Sequence, residues 1–274
     1  MARFTDKVVI VTGSSTGIGH AAILAFAAEG ASVVLHGSNA GRLANAKTSL
    51  LEAGIPESRI LAIQGELNSD ATHDKLINET IARFGKIDVL VNNAASFKKP
   101  GDDVPLFENF DYVFTVNVRA VFRLVELATP HLEKTKGNII NVSSIVSYTK
   151  TVERAKESLI YAMSKAALDR YTKNVNQSLM KRGIRINNIN PGPFDSNFGK
   201  RGAGPSQASV SVGNPEHEKL FKKVTPVGRF GRPDELVPAF LLLADEKSSF
   251  ITGSLWTIDG GMSGWAPEAT DLKL

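Results

Sequence analysis

The chain has 274 residues, 42% hydrophobic and 22% charged, with a net charge of +4, which suits a globular protein of one large α/β domain or two small ones. It has no cysteine, which excludes disulfides, thiolate zinc sites and cysteine nucleophiles. Its basic residues are scattered, and its five histidines (His20, His36, His73, His131, His217) lack metal-ligand spacing, so neither a nucleic-acid partner nor a metal is expected.

The segment Met1–Lys7 leaves no room for a signal peptide before Lys7–Thr12, a run apolar enough for a buried strand. Gly17–Glu29 reads as a helix, with Ile23, Leu24, Phe26 and Ala27 near one side. Ser32–His36 is a second strand and Asn39–Ala53 a second helix. Arg59–Gln64 is a third strand, and Asp70–Phe84 a helix carrying Leu76, Ile77, Thr80 and Ile81. Ile87–Val91 is a fourth strand, a helix pair covers roughly Phe107–Lys134, and Asn138–Val142 is a fifth strand. Leu159–Arg182 is a long helix, Ile184–Asn190 a sixth strand and Leu255–Ile258 a seventh. Short apolar runs without strict alternation suit strands covered on both faces. Their alternation with helices predicts a doubly wound, seven-stranded parallel sheet with helices on both faces. No apolar stretch approaches the ~18 residues of a membrane span. Leu272-Lys273-Leu274 departs from a peroxisomal address at its first residue, so a cytoplasmic protein is expected. The irregular, Gly-, Ser- and Pro-rich stretch 195–224 is too long for a simple connection and reads as a partly helical lid.

The first strand runs into Thr12-Gly13-Ser14-Ser15-Thr16-Gly17-Ile18-Gly19, which opens the first helix. Glycines at such a turn let backbone approach a pyrophosphate, and the helix N-terminus attracts its charge. Farther on, Tyr161 and Lys165 stand four residues apart on a helix, on one face, with Cβ atoms about 5–6 Å apart. A phenol titrates near 10 and is a poor proton donor by itself. A nearby ammonium favours the phenolate, so the pair is a plausible acid/base unit. An ordinary half-exposed helix face would show the same spacing.

Taken in order, these motifs resemble the short-chain dehydrogenase/reductase family, from about Phe4 to Gly264. Thr12-Gly13-x-x-x-Gly17-Ile18-Gly19 is similar to its cofactor turn. Asn92-Asn93-Ala94-Ala95 resembles its Asn-Asn-Ala-Gly motif, with Ala95 in place of glycine. Asn117 matches its helix asparagine, Asn141-Val142-Ser143-Ser144 its serine segment, and Tyr161/Lys165 its Tyr-x-x-x-Lys pair. Asn190-Pro191-Gly192-Pro193, Gly228–Pro233 and Asp259-Gly260-Gly261 match its later motifs. The resemblance implies a single Rossmann domain over 1–274, with the lid at 195–224, and hydride transfer between a nicotinamide cofactor and a ketone or secondary alcohol. It implies Tyr161 as general acid/base and Lys165 lowering the phenol's pKa and binding the nicotinamide ribose. Ser144, with Ser143 as the competitor, would orient the reacting oxygen, and Asn117 would hold a water that links Lys165 to solvent. Cofactor contacts are expected from Gly13, Ser15, Thr16, Gly17, Ile18, Gly19, Ser38, Asn39, Glu66, Leu67, Asn93, Ala94, Tyr161, Lys165, Pro191, Phe194 and Ser196. A homodimer or homotetramer is implied, with no membrane partner.

In NAD enzymes an acidic residue usually holds the ribose about 20 residues beyond the glycines. Here that window is His36-Gly37-Ser38-Asn39, and Gly37 stands at the acid's place. NADP is favoured over NAD, although Ser38 and Thr16 replace basic residues common in NADP-preferring relatives. Ser38 and Asn39 would otherwise only cap the second helix. Glu66 is longer than the family's adenine-side Asp. Substrate choice is expected from Ser96-Phe97, the segment Ile145–Ile160, Phe194 and the lid, with its Phe198, Lys200, Arg201 and Phe221. Ser144 and Tyr161 stand 17 positions apart, about one helical turn beyond the family interval, and the segment between carries Glu153, Arg154, Lys156 and Glu157. The tail Trp265–Leu274 is a candidate for packing on a neighbouring subunit. The rival reading is a non-enzymatic nucleotide sensor or scaffold on the same fold, which the intact Ser144/Tyr161/Lys165 set opposes.

Overall fold

The computed structural model describes residues 2–101, 103–149, 156–196, 219, 223 and 225–264. The expected lid lies outside them apart from Asp195, Ser196, Lys219 and Lys223. Phe198, Lys200, Arg201, Phe221, Glu153, Arg154 and the tail Trp265–Leu274 lie outside them as well.

Seven strands form one parallel sheet: β1 (Val8–Val11), β2 (Ser32–Gly37), β3 (Ile60–Gln64), β4 (Val89–Asn92), β5 (Asn138–Val142), β6 (Arg185–Pro191) and β7 (Leu255–Ile258). Their order is β3-β2-β1-β4-β5-β6-β7, so the chain winds outward one way from β1 and then the other way from β4. In register, Val9 pairs with Val33 on one side and with Val89 on the other. The helices that flank the sheet include α1 (Gly17–Ala28), α2 (Ala40–Glu52), α3 (Asp70–Phe84), α4 (Leu106–Phe114), α5 (Ala120–Thr135), α6 (Lys156–Lys181) and α7 (Val237–Ala244).

Alternate strand residues face opposite layers. Val9, Val11, Val33, Leu35, Val91 and Ile140 pack with Ile23 and Phe26 of α1, Leu50 of α2 and Phe240 of α7. Ile10, Val34, Leu90, Ile139 and Ile186 pack with Leu76 of α3, Leu124 of α5 and Leu168 of α6. Each such fully buried side chain contributes about 1.5–3 kcal/mol, which explains why the central strands are apolar on both faces.

The helix pair expected over roughly Phe107–Lys134 is α4 and α5, and what the sequence did not show is the π turn at Thr115–Arg119 that joins them end to end. A π turn inserts one extra residue into the helix, which hydrophobic periodicity does not register. It carries Asn117, which is fully buried. The strands shift by a residue or two from their expected bounds, β4 by starting at Val89 and ending at Asn92. Among the described residues no helix is long and apolar enough to cross a membrane.

Candidate active site

The strand order reverses between β1 and β4, and the crevice at their carboxyl ends is where an open α/β sheet binds ligands. Thr12, Asn93, Ser144 and Gly192 follow β1, β4, β5 and β6 at that edge.

The glycine-rich turn is held from both sides. The Asn93 amide nitrogen donates to the carbonyls of Thr12 (2.9 Å) and Gly13 (3.1 Å), and the Thr12 hydroxyl accepts from the backbone N–H of Asn93 and Ala94. On the β2 side, Ser14 Oγ accepts from the His36 N–H at 2.9 Å, and the Gly13 N–H donates to His36 Nδ1 at 3.1 Å. With Nδ1 accepting, the His36 proton sits on Nε2, which bonds the Gly65 carbonyl at 3.1 Å. Burial pulls the His36 pKa down to about 4, so the ring is neutral at ordinary pH. Gly13 has φ +65°, and a Cβ there would meet Ala94 Cα at 2.8 Å; a Cβ at Gly19 would meet Asn93 Nδ2 at 2.4 Å. The result is a side-chain-free cradle at the N-terminus of a 12-residue helix. That is the fit a dinucleotide pyrophosphate requires.

Around β2, Asn39 caps α2, its Oδ1 accepting from the Arg42 N–H at 2.9 Å. The cap engages the oxygen and not the amide donors. Ser38, Asn39 and Glu66 are exposed, and Leu67 is buried, its carbonyl bonded by His73. A Cβ at Gly37 would stand 2.8 Å from Ser15 Oγ.

On α6, Tyr161 and Lys165 do share a face. Ser144 hydrogen-bonds the Tyr161 hydroxyl, and the Ser144 hydroxyl accepts from the Val146 N–H at 3.3 Å. Ser143 Oγ instead donates to the Lys165 carbonyl at 3.3 Å. Lys165 Nζ lies 5.6 Å from the centre of the Tyr161 ring and donates to the Val142 carbonyl at 2.7 Å. The sequence reading had the ammonium lowering the phenol's pKa. In this structure burial dominates and pushes Tyr161 above the ordinary tyrosine value, while burial pulls Lys165 down to about 8. The Phe97 ring tilts against Tyr161, with centres 5.6 Å apart.

Asn117 has its whole amide engaged. Oδ1 accepts from the Ser96 N–H, and Nδ2 donates to the Ser96 carbonyl and to Ser164 Oγ. It ties the loop after β4 to α6. At the far end, Phe194 bridges Gly231, and the Gly192 N–H donates to the Ile258 carbonyl, which anchors the chain leaving β6 at Pro191 and leading to Ser196. Sequence reasoning missed His36, and it missed the buried polar chain of Asn92, Asn141, Asn188, Asn190 and Asp169. Asparagine is depleted in strands, so its repeated presence near the carboxyl ends of β4, β5 and β6 was the available signal.

A glycine cradle at the strand-order reversal with a Ser/Tyr/Lys group beside it defines a dinucleotide-binding enzyme class. The family described as enoyl-(acyl carrier protein) reductase matches residues 13–263. A short-chain dehydrogenase/reductase of Caenorhabditis elegans, solved with cofactor, superimposes with a TM-score of 0.87 at 34% identity, over 98% of this chain and 99% of its own. A 3-oxoacyl-(acyl-carrier-protein) reductase of Thermotoga maritima is 32% identical over 271 residues, covering 95% of this chain and 99% of the relative. A 7α-hydroxysteroid dehydrogenase solved with NADH and 7-oxo glycochenodeoxycholic acid gives a TM-score of 0.82 at 30% identity, over 95% and 96% of the two chains. The chain belongs to the short-chain dehydrogenase/reductase family. It is an NAD(P)-dependent oxidoreductase acting on alcohol and ketone groups.

Proposed function

We propose that this single-domain protein reduces a ketone with NADPH, or oxidises the matching secondary alcohol with NADP. The observation that carries the chemistry is Ser144 bonded to Tyr161 with the Lys165 ammonium beside the ring. The nicotinamide, when bound, gives or takes the hydride. Tyr161 holds the proton that the carbonyl oxygen needs, and its raised pKa keeps that proton in place until charge develops on the oxygen. Ser144 donates toward the same oxygen and stabilises the developing charge. Lys165 keeps a positive charge against Tyr161 and passes protons onward. The Asn117 amide is fully engaged, so we read its share of the relay as resting on its backbone carbonyl.

The preference for NADP is supported by Gly37. An aspartate there would drive its Cβ into Ser15. Ser38, the Asn39 amide donors and Arg42 at the start of α2 suit a 2′-phosphate. The cradle Gly13–Gly19, with Asn93 and Ala94 opposite, would hold the pyrophosphate, and Pro191, Phe194 and Ser196 the nicotinamide end. Phe97 against Tyr161 suits a substrate with an apolar surface beside its carbonyl. A second copy of the chain suits the exposed Phe122, whose ring meets Tyr171 across α5 and α6; ultracentrifugation reads whether a dimer or tetramer forms. The test of function is a panel of cyclic ketones, oxosteroids and 3-oxoacyl thioesters with NADPH and with NADH. Turnover favouring NADPH is expected. Cofactor binding without oxidation of either cofactor by any member would leave the nucleotide-sensor reading instead.

A further inference from the structure

We propose that Asp169 is a positioning residue of this site: through Ser147 and Asn190 it fixes the backbone of Ser144, and as a buried carboxylate one helical turn beyond Lys165 it holds that ammonium charged. The proposal rests on the reading of Ser144, Tyr161 and Lys165 given above.

Asp169 is 8% exposed, and a carboxylate so deep needs donors. Asn188 Nδ2 donates to Oδ1 at 2.7 Å, Asn190 Nδ2 to Oδ2 at 2.9 Å, and Ser147 Oγ to Oδ2. The last two lead to Ser144. Asn190 Nδ2 lies 3.2 Å from the Ser144 carbonyl oxygen and 3.2 Å from Ser147 Oγ, and Ser147 Oγ lies 2.7 Å from the same carbonyl. A hydroxyl has one proton, so when Ser147 donates to Asp169 the second Asn190 proton is left for the Ser144 carbonyl. The residue that bonds the Tyr161 hydroxyl is therefore held by groups that Asp169 orients.

The chain of bonds continues away from the site. Thr172 Oγ1 donates to Asn188 Oδ1 at 2.6 Å, Asn141 Nδ2 reaches Thr172 Oγ1 at 3.0 Å and Asn188 Oδ1 at 3.2 Å, and Asn92 Nδ2 donates to Asn141 Oδ1 at 2.9 Å. It crosses the carboxyl ends of β4, β5 and β6, and networks of this kind rigidify when their members are satisfied. Lys165, Leu168, Asp169 and Thr172 share one buried face of α6. Around Lys165 stand Tyr161 and Asp169 on its own helix and, from β5 and the turn after it, the Val142 carbonyl, Ser143 and Ser144. Of these only Tyr161 and Asp169 have ionisable side chains. Around Asp169, β6 presents Asn188 and Asn190 and the turn after β5 presents Ser147, none of which titrates. Burial lowers the Lys165 pKa and the charge of Asp169 opposes it.

The experiment follows Lys165 without a substrate, by carbon–proton NMR of cofactor-free protein carrying 13Cε-lysine, its resonance assigned by loss in Lys165→Met. Asp169→Asn is expected to lower the Lys165 midpoint by about one pH unit or more. Thr172→Val cuts the same network at an uncharged link; it is expected to lower the melting temperature and leave the midpoint in place. An unmoved midpoint in Asp169→Asn, or an equal shift in Thr172→Val, overturns the proposal. If Asp169→Asn does not fold, Asp169→Ser is read by the same criterion. A second arm follows NADPH oxidation with cyclohexanone, where Asp169→Asn is expected to lower kcat about tenfold or more and to leave KM for NADPH within about twofold. A loss confined to KM for NADPH overturns the Ser144 part. A wild-type protein that reduces no ketone defeats the oxidoreductase reading, and the NMR arm still decides this one.

Discussion

The backbone N–H of Gly13 donates to Nδ1 of His36 at 3.1 Å, so the phosphate-side turn is bolted to the end of β2 by a histidine that must stay neutral. Protonating Nδ1 would set donor against donor. The His36 pKa lies near 4, below the ordinary 6.5 that an unfolded chain would show. The contribution of a group with a depressed histidine pKa is complete above pH 6.5 and is lost as pH falls from there to about 4, amounting to about 3 kcal/mol. Urea denaturation at a series of pH values should show this loss in the wild type and a correspondingly smaller one in His36→Gln. Burial lowers His20, His73 and His131 too, so the difference between the two proteins isolates His36. Parallel pH profiles would refute it.

Tyr161→Phe removes the proton donor and keeps the ring against Phe97. Ketone reduction should fall by about 10²–10⁴-fold while the Kd for NADPH, read by fluorescence, stays within about twofold. Burial pulls the Lys165 pKa down to about 8 in the free wild-type protein. The ammonium is present below that pH and lost above it, so kcat/KM for reduction should decline through about pH 8 with a slope of one proton. A flat profile from pH 7 to 9 would remove Lys165 from the relay.

Gly19→Ala should show how tightly the cradle is drawn. The added Cβ would meet Asn93 Nδ2 at 2.4 Å and the Gly13 carbonyl at 2.6 Å. The Asn93 bonds to Thr12 and Gly13 must then yield, at a cost of about 1–3 kcal/mol. Chemical denaturation reads the loss, and the Kd for NADPH should rise with it.

Why some of this was legible in the sequence and some was not follows from what local pattern encodes. Val8–Val11 and Val89–Val91 are apolar on both sides because both faces are covered, and the runs of apolar residues report that directly. Gly13 is legible because a local turn needs its positive φ, whereas the close approach that requires Gly19 comes from Asn93, distant in sequence. The π turn at Thr115–Arg119 is not, since one inserted residue leaves the apolar spacing on each side intact. Nor is the raised pKa of Tyr161, which depends on burial by segments distant in sequence. The Asp169–Asn190–Ser147 contacts join residues 21 or more positions apart, and no local period links them.

Cofactor choice can be tested at the Gly37–Ser15 contact. Gly37→Asp alone should weaken NADPH about tenfold or more through repulsion of the 2′-phosphate. It should gain little for NADH, because the new Cβ stands 2.8 Å from Ser15 Oγ and the side chain is displaced. Adding Ser15→Gly removes that obstruction, so the double variant should recover NADH turnover beyond either single one. Simple additivity of the two changes in kcat/KM for NADH would show that the contact does not govern the preference.

The two serines after β5 should separate cleanly. Ser144 bonds the Tyr161 hydroxyl, whereas Ser143 donates to the Lys165 carbonyl inside the core and is 3% exposed. Ser144→Ala therefore removes a donor from the place where charge develops and should lower kcat by about 10²-fold or more, with little change in melting temperature. Ser143→Ala removes one buried hydrogen bond, so its loss should be about 1 kcal/mol of stability with kcat nearly retained. Steady-state kinetics beside thermal melts of the two variants distinguish the roles. The reverse pattern, with Ser143→Ala inactive and Ser144→Ala merely less stable, would exchange them. The Tyr161 hydroxyl would then need a different hydrogen-bond partner from the one this structure gives it.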